Sequence, residues 1–223
     1  MLIQISSKND DLVMDFFAGS GTFSHATMEF NKANNQSIKC ISMQLSEAYE
    51  QGSHAYKLGF ENIAKSSMER IRRAGKKIKE ENPSVTDLDT GFRVLKIDSS
   101  NMANAYYTPD TLNKDDLFSQ IDHIKTDRSA EDLLFQVMLD WGVDLSLPIR
   151  KETIEGKEVY FVNDDDLVAC FDKGIDEALI KALAAKQPLR VVFRDDGFVS
   201  DSVKINVEQI FKQLAPATDI KAI

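Results

Sequence analysis

The stretch DLVMDFFAGSGT at residues 11–22 limits the folds open to this chain more than any other part of the sequence. Residues 12–16 are mostly apolar, which suits a buried strand, and they lead directly into a loop that holds Gly19 and Gly21. Glycines in such a loop permit left-handed backbone angles and let a ligand lie against exposed peptide N–H groups. Residues 22–31 predict a helix that starts at this loop. The whole stretch is therefore typical of a strand–loop–helix ligand site.

Several nucleotide-binding folds share this arrangement, and the residues around the loop distinguish them. A phosphate-binding P-loop needs the lysine of GxxxxGK[ST], and no lysine lies near Gly21. A dinucleotide fold needs GxGxxG, whereas Ser24 occupies the place of the third glycine here. What remains is an acid, Asp15, followed by FFA and GSGT. This pattern resembles motif I of S-adenosylmethionine-dependent DNA methyltransferases.

The overall charge argues against a chain that grips DNA unaided. The 223 residues include 27 Lys and Arg against 36 Asp and Glu, for a formal net charge of -9, whereas phosphate contacts require positive charge. The hydrophobic content of 43% is ordinary for a globular protein. No run of about 18 apolar residues is present, and residues 1–10 lack the basic start and apolar core of a signal peptide. A cytoplasmic protein without membrane contact is expected.

The cysteines and histidines form no recognisable ligand motif. Cys40 and Cys170 lie far apart in sequence within apparent strands, which predicts buried, reduced thiols and no disulfide. The histidines are too scattered for a metal-binding pattern such as HxxxH, so no metal site is expected. They are His25, His54 and His123.

A second strand is predicted at residues 38–45 (IKCISMQL), after the first helix, and it should lie parallel to the first strand. In Rossmann-like folds an acid about 20 residues beyond the glycines accepts hydrogen bonds from the ribose hydroxyls. Gln44 occupies the approximate place, and Glu47 follows shortly after. Either side chain can accept such a bond, and Glu47 has an equal alternative as a charge near a helix N-terminus.

Residues 55–81 carry apolar positions at helical spacing, and their polar positions are strongly basic. This cluster permits two interpretations, a nucleic-acid surface or a solvated helix face with cations near its C-terminus, and the second is favoured. Residues 91–98 (GFRVLKID) predict a third strand, and residues 99–113 predict a loop that marks a domain boundary. The basic residues are Arg70, Arg72, Arg73, Lys76, Lys77 and Lys79.

The remaining chain predicts a smaller, mixed α/β domain. Ser129 and Asp132 are placed to cap a helix at residues 129–140, and the dipeptide Glu155-Gly156 predicts a hairpin between two strands. Arg194, Asp195 and Asp196 follow a strand and are interpreted as a structural ion pair rather than a site. The strands are expected at residues 149–154, 157–162, 167–171 and 189–194, and the later helices at residues 175–185 and 206–214.

Taken as a whole, the chain resembles the carboxy-terminal part of the modification subunit of type III restriction-modification systems, a DNA adenine-N6 methyltransferase. The likeness rests on DFFAGSGT, KCISMQLSE, GFENIAKSSMERIRR, LDTGFRVLKIDSSN, RSAEDLLFQVMLDWG and RVVFRDDGF, in one order. One departure is Phe23, which stands where the family usually has a second threonine. The resemblance implies a partial Rossmann-like fold of about three parallel strands with helices at residues 1–100. A subunit-interaction domain is expected at residues 101–223.

The resemblance also implies a binding site for the methionine part of S-adenosylmethionine. It places this site at Asp15 and the backbone of residues 16–21, with Thr22 near the cofactor carboxylate. Peptide N–H groups at a helix N-terminus favour a carboxylate on physical grounds as well. Phe16 and Phe17 have an alternative as core residues. The expected cofactor-binding residues are Asp15, Phe16, Phe17, Ala18, Gly19, Ser20, Gly21, Thr22, Gln44 and Glu47.

No catalytic residue is predicted. In the family, a DPPY-type motif that holds the flipped adenine precedes motif I, and this chain has no Asp or Asn followed by two prolines. The chain is therefore expected to bind the methyl donor but to show no methyl transfer alone. The implied partners are DNA, through a recognition region absent from this sequence, the restriction subunit and a second modification subunit. An alternative is an interaction module that joins modification and restriction subunits without binding the cofactor.

The first predicted strand has an edge for which the sequence offers no partner. An apolar edge with unpaired N–H and C=O groups promotes association with another chain. A homodimer, or disorder at residues 7–15, is therefore expected.

Overall fold

The computed structural model describes residue 3 and residues 6–84, 88–103 and 124–223. The chain divides into two compact units, Met1–Val94 and Leu95–Ile223, each with its own sheet. Parallel and antiparallel pairs are both present, so the fold is mixed α/β. Residues 104–113 of the predicted boundary loop, and His123, lie outside the described residues.

The amino-terminal unit is built on two parallel strands joined by a helix. Strand β1 (Leu12–Asp15) pairs with β2 (Lys39–Ser42), and helix α1 (Thr22–Asn34) connects them. A parallel pair requires a crossover of this kind, because the chain must return to the end at which the first strand began. The predicted strand–loop–helix–strand order is confirmed. The glycine loop lies at the carboxyl end of β1, directly before α1.

The single helix predicted at residues 55–81 is wrong, because the segment forms two helices. A short helix, α2 (His54–Lys57), is followed by α3 (Ile63–Glu81). Gly59 between them has a φ of 87°, which no helical residue adopts. The Asn62 side chain then caps α3 by accepting a hydrogen bond of 2.9 Å from the Lys65 backbone N–H.

The third parallel strand predicted at residues 91–98 is also wrong. These residues form no strand, and Ile97 is 98% exposed. The described part of the amino-terminal unit thus has a sheet of two strands instead of about three. Apolar, β-branched residues suit a strand, but a strand also needs a neighbour with free backbone groups.

The carboxy-terminal unit contains a five-stranded sheet of mixed direction. Its order follows the chain from β3 to β7, with antiparallel pairing from β3 to β5 and parallel pairing from β5 to β7. The last strand was not predicted from the sequence, and the last helix begins at Asp201 instead of the predicted residue 206. The strands are β3 (Ile149–Ile154), β4 (Lys157–Val162), β5 (Leu167–Cys170), β6 (Arg190–Phe193) and β7 (Asp219–Ala222).

Helices cover both faces of this sheet and form a core on each. Helix α4 (Ala130–Asp140) packs Leu133, Leu134, Val137 and Met138 against one face. Helices α5 (Glu177–Ala184) and α6 (Asp201–Leu214) cover the other. Because successive strand residues point to opposite faces, β5 serves both cores, with Val168 and Cys170 in one and Leu167 and Ala169 in the other.

Two local predictions in this unit are confirmed. Ser129 and Asp132 form a reciprocal capping box at the start of α4. The expected ion pair is also present, between Arg194 and Asp196, and Lys173 Nζ lies 2.9 Å from the second oxygen of that carboxylate. Burial raises the pKa of Asp196, but the hydrogen bonds from Arg194 and Lys173 outweigh it and hold the pKa below its usual value.

The cysteines are both free thiols and differ in environment. Cys170 is fully buried in the sheet, and burial raises the pKa of its thiol to about 11, so it is a structural residue. Cys40 on β2 is half-buried. Across the described ranges, no helix combines the length and apolar composition needed to cross a bilayer.

Candidate cofactor-binding site

A cavity of about 400 Å³ opens at the carboxyl end of β1. This volume falls within the range of pockets that hold small molecules. Four of the ten residues predicted to bind the cofactor line it, and they are Asp15, Phe17, Ala18 and Thr22. The other lining residues are Ile3, Phe23 and Ala26.

The glycine loop takes a backbone conformation that requires glycine. Gly19 and Gly21 have φ values of 52° and 74°, and the Gly21 N–H donates to the Ala18 carbonyl over 2.7 Å. Gly21 is also the N-cap of α1 and offers no side chain to cap it. Since the first N–H groups of a helix have no partner within the helix, those of α1 are available for an anionic group.

The loop is fastened to the end of β2. The Gly19 N–H donates to Gln44 Oε1 over 2.7 Å, and the Ala18 N–H donates to the Met43 carbonyl over 3.0 Å. Gln44 therefore lies at the site, where it holds the loop. Glu47 is exposed, and its only described contact is a backbone one, from the Ile63 N–H at the start of α3. The alternative that Glu47 is a charge near a helix N-terminus is consistent with this contact, because Ile63 is the first residue of α3.

Asp15 and the two phenylalanines form the entrance to the loop. Asp15 is half-buried, and its Oδ1 accepts a hydrogen bond of 3.1 Å from the Phe17 N–H. Phe16 is 62% exposed and Phe17 is 89% exposed. The interpretation of Phe16 and Phe17 as core residues is therefore wrong, because no packed layer covers them in the part of the amino-terminal unit that the structure describes.

Three residues of helix α3 contact the glycine loop, and these contacts were not predicted from the sequence. The hydroxyl of Ser67 hydrogen-bonds to the Gly19 carbonyl, and Ile71 packs against Gly21. Arg70 Nη1 lies 2.6 Å from both Ser20 Oγ and Thr22 Oγ1, and 3.3 Å from the Ser20 carbonyl. The conformation of the loop is thus set by a helix about 50 residues further along the chain.

Most basic side chains of α3 pair with a glutamate one turn away, as on a solvated helix face. Hydrogen bonds from Arg73 and Arg72 hold the pKa of Glu69 below its usual value. Arg70 differs, because residues 66, 67, 73 and 74, three and four positions away, include no acid. Lys79 shares this pattern, so the sequence alone does not single out Arg70. The pairs are Lys65 with Glu61, Arg72 and Arg73 with Glu69, Lys76 with Glu80, and Lys77 with Glu81.

A second, open cavity of about 540 Å³ lies on the opposite side of α3 from this contact and includes none of the predicted site residues. The Arg72 guanidinium stands 5.8 Å from the Phe92 ring centroid there, and Gly75 allows the segment at Thr90 to approach the helix. No group of three or more potential metal ligands occurs in the parts of the chain that the structure describes.

The segment that contains the candidate site is similar to a known protein family. Residues 1–57 match the family described as DNA methylase. That segment contains β1, the glycine loop and α1, which contribute residues to the lining of the 400 Å³ cavity, and it also contains β2.

Relatives among characterised proteins extend the similarity across the chain. The Mod subunit of the type III restriction-modification enzyme EcoP15I of Escherichia coli is 31% identical over 206 residues, which cover 89% of this chain and 30% of that protein. The StyLTI Mod subunit of Salmonella typhimurium is 37% identical over 41% of this chain and 14% of its own length. The EcoPI Mod subunit of Escherichia phage P1 is 28% identical over 73% of this chain and 24% of its own length. The matched region thus spans less than a third of each relative.

Proposed function

The chain is a relative of the Mod subunits of type III restriction-modification enzymes, and we propose that it is the part of a DNA adenine-N6 methyltransferase that binds S-adenosylmethionine. The observation that carries this proposal is the cavity bordered by Asp15, Ala18 and Thr22, directly beside an uncapped helix N-terminus. A Rossmann-like arrangement, completed by strands outside the described sheet, belongs to the same proposal.

The residues around the cavity fit the amino-acid portion of this cofactor. The Asp15 carboxylate suits the ammonium group, and the N–H groups at the start of α1, with the Thr22 hydroxyl, suit the carboxylate. Exposed Phe17 offers an aromatic surface to the less polar part of the molecule. When bound, the cofactor supplies an activated methyl group on a positively charged sulfur.

This chain supplies the binding step and not the transfer. Its sequence has no Asp or Asn followed by two prolines, and the pair Asn82-Pro83 is followed by Ser84. Without such a motif, no group is in place to bind the amino group of a flipped adenine. We therefore assign the reaction to the whole protein of which such a chain would be a part, with DNA and a restriction subunit as its partners.

Calorimetric titration of the purified chain with S-adenosylmethionine tests the proposal. We expect saturable binding of one molecule per chain, with amide exchange slowed at residues 15–22. Labelled methyl groups should not appear in DNA incubated with the chain and the cofactor. NAD is the control ligand, because the loop lacks the third glycine. An absence of heat and of protection would favour the interaction module instead, and labelled DNA would contradict the lack of transfer.

Strand β1 also favours a second copy of this chain as a partner. Within the described residues β1 pairs only with β2, and its face carries exposed Leu12 and Met14. Unpaired backbone groups beside an apolar face promote strand-to-strand association, and lysine on such an edge opposes it. We expect light scattering to give a dimer for the natural chain and a monomer for the double variant Leu12→Lys, Met14→Lys.

The matched control for this association is Leu58→Lys, which changes an equally exposed leucine between α2 and α3, outside the sheet. It should leave the dimer intact. A natural chain that stays monomeric at every concentration, or a Leu58→Lys variant that dissociates equally well, would contradict pairing through β1.

A further inference from the structure

Arg70 occupies an unusual position for a side chain on the basic surface of α3. Its Nη1 bridges the hydroxyls of Ser20 and Thr22, each 2.6 Å away, so the guanidinium lies against the glycine loop. Thr22 also lines the 400 Å³ cavity. The positive charge of Arg70 therefore lies next to a residue that lines the candidate cofactor site.

This charge is not neutralised by the protein in the described ranges. The other two arginines of α3, Arg72 and Arg73, share Glu69, whereas the partners of Arg70 are two hydroxyls and one carbonyl. A guanidinium has five N–H donors in a planar fork, and here a single nitrogen is engaged. The remaining donors are suited to a carboxylate, which arginine binds through two parallel hydrogen bonds.

The cavity consequently has charges of opposite sign along its wall. Thr22 and the first turn of α1 make one part electropositive, and Arg70, which contacts Thr22 without lining the cavity itself, adds positive charge beside it. Asp15 makes another part of the wall electronegative. A zwitterionic amino-acid group, with its carboxylate and ammonium on one carbon, matches this separation. A ligand with only one of the two charges leaves the other part of the wall without a partner.

We infer that Arg70 is a specificity-determining residue that pairs with the carboxylate of the methionine part and so selects methyl donors with an intact amino-acid group. This inference rests on the proposed function, because it concerns the same cofactor. Arg70 has a second consequence for the loop, since its contact with Ser20 and Thr22 holds the loop in the binding conformation. The two roles are separable by the choice of ligand.

The test compares S-adenosylmethionine with its decarboxylated form, which differs only by the absent carboxylate. We expect the natural chain to prefer S-adenosylmethionine by about 10- to 100-fold, the range of a charge-assisted pair. Arg70→Met should lose about that factor for S-adenosylmethionine and about twofold or less for the decarboxylated form. Arg70→Lys, which keeps the charge but not the fork, should retain part of the preference. Arg73→Met is the matched control on the same helix and should change neither affinity.

The outcomes distinguish this inference from the proposed function. If Arg70→Met weakens both ligands equally, the residue only supports the loop and the inference is overturned, while cofactor binding stands. If the natural chain binds both ligands with equal affinity, no carboxylate contact exists and the inference is likewise overturned. If the natural chain binds neither ligand, the proposed function fails and this inference fails with it.

Discussion

The Gly21→Ala variant is expected to bind S-adenosylmethionine at least about tenfold more weakly than the natural chain. Gly21 has a φ of 74°, and holding an L-residue in this left-handed region costs about 1–2 kcal/mol. An added Cβ would also stand 2.9 Å from Ile71 Cγ1 and 3.4 Å from the Ser67 carbonyl. The loop or the Ile71 side chain must therefore shift, and together with the strained φ this displaces the loop and the first turn of α1 from the binding conformation. Calorimetric titration measures the loss.

Two other glycines provide controls that separate backbone strain from crowding. Gly19 has a φ of 52°, but an added Cβ would meet nothing closer than the Phe17 carbonyl at 3.7 Å, so Gly19→Ala should weaken binding less than Gly21→Ala. Gly52, with a φ of 93°, has no atom within 4 Å of the added Cβ. Gly52→Ala should lower stability by about 1–2 kcal/mol and leave the cofactor affinity unchanged. A Gly21→Ala variant with natural affinity would show that the loop is not the cofactor site.

Local signals in the sequence were sufficient wherever the determining contacts are local. The Glu155-Gly156 turn was predicted from these two residues alone. In the structure both take positive φ, 49° and 73°, as a two-residue hairpin requires. The capping box joins Ser129 to Asp132, three residues further on, so it too could be predicted from a short stretch of sequence. The resemblance to type III modification subunits, which rested on such short stretches, is confirmed by the relatives.

Contacts between distant parts of the chain could not be predicted in the same way. Arg70 and Ser20 are 50 residues apart, and the residues around each of them give no sign that the two side chains are in contact. The GFRVLKID segment at residues 91–98 has the composition of a strand, yet pairing depends on whether another edge is free to accept it. Phe16 shows the same limit, since an apolar residue beside a strand is buried only if another layer covers it.

The two units also differ in how much core supports them. In the amino-terminal unit, the described cluster of buried apolar residues has three members, Met28, Ile71 and Ile78. The carboxy-terminal unit has a packed core on each face of its sheet. Binding loops belong to the less stable parts of a protein, because a rigid core would prevent the adjustment that a ligand requires. Substitutions in the carboxy-terminal cores should therefore have the larger effects on folding.

Leu134→Ala is expected to reduce the free energy of unfolding by about 2–5 kcal/mol, a large part of the 5–15 kcal/mol typical of a domain. Leu134 is fully buried in the layer between α4 and the sheet, where close-packed neighbours relax only partly into the space that the side chain leaves. Leu139 lies on the same helix and is 65% exposed, so Leu139→Ala should change stability by about 0.5 kcal/mol or less. Urea denaturation followed by circular dichroism gives both values. Equal losses for the two variants would mean that α4 does not pack on the sheet through Leu134.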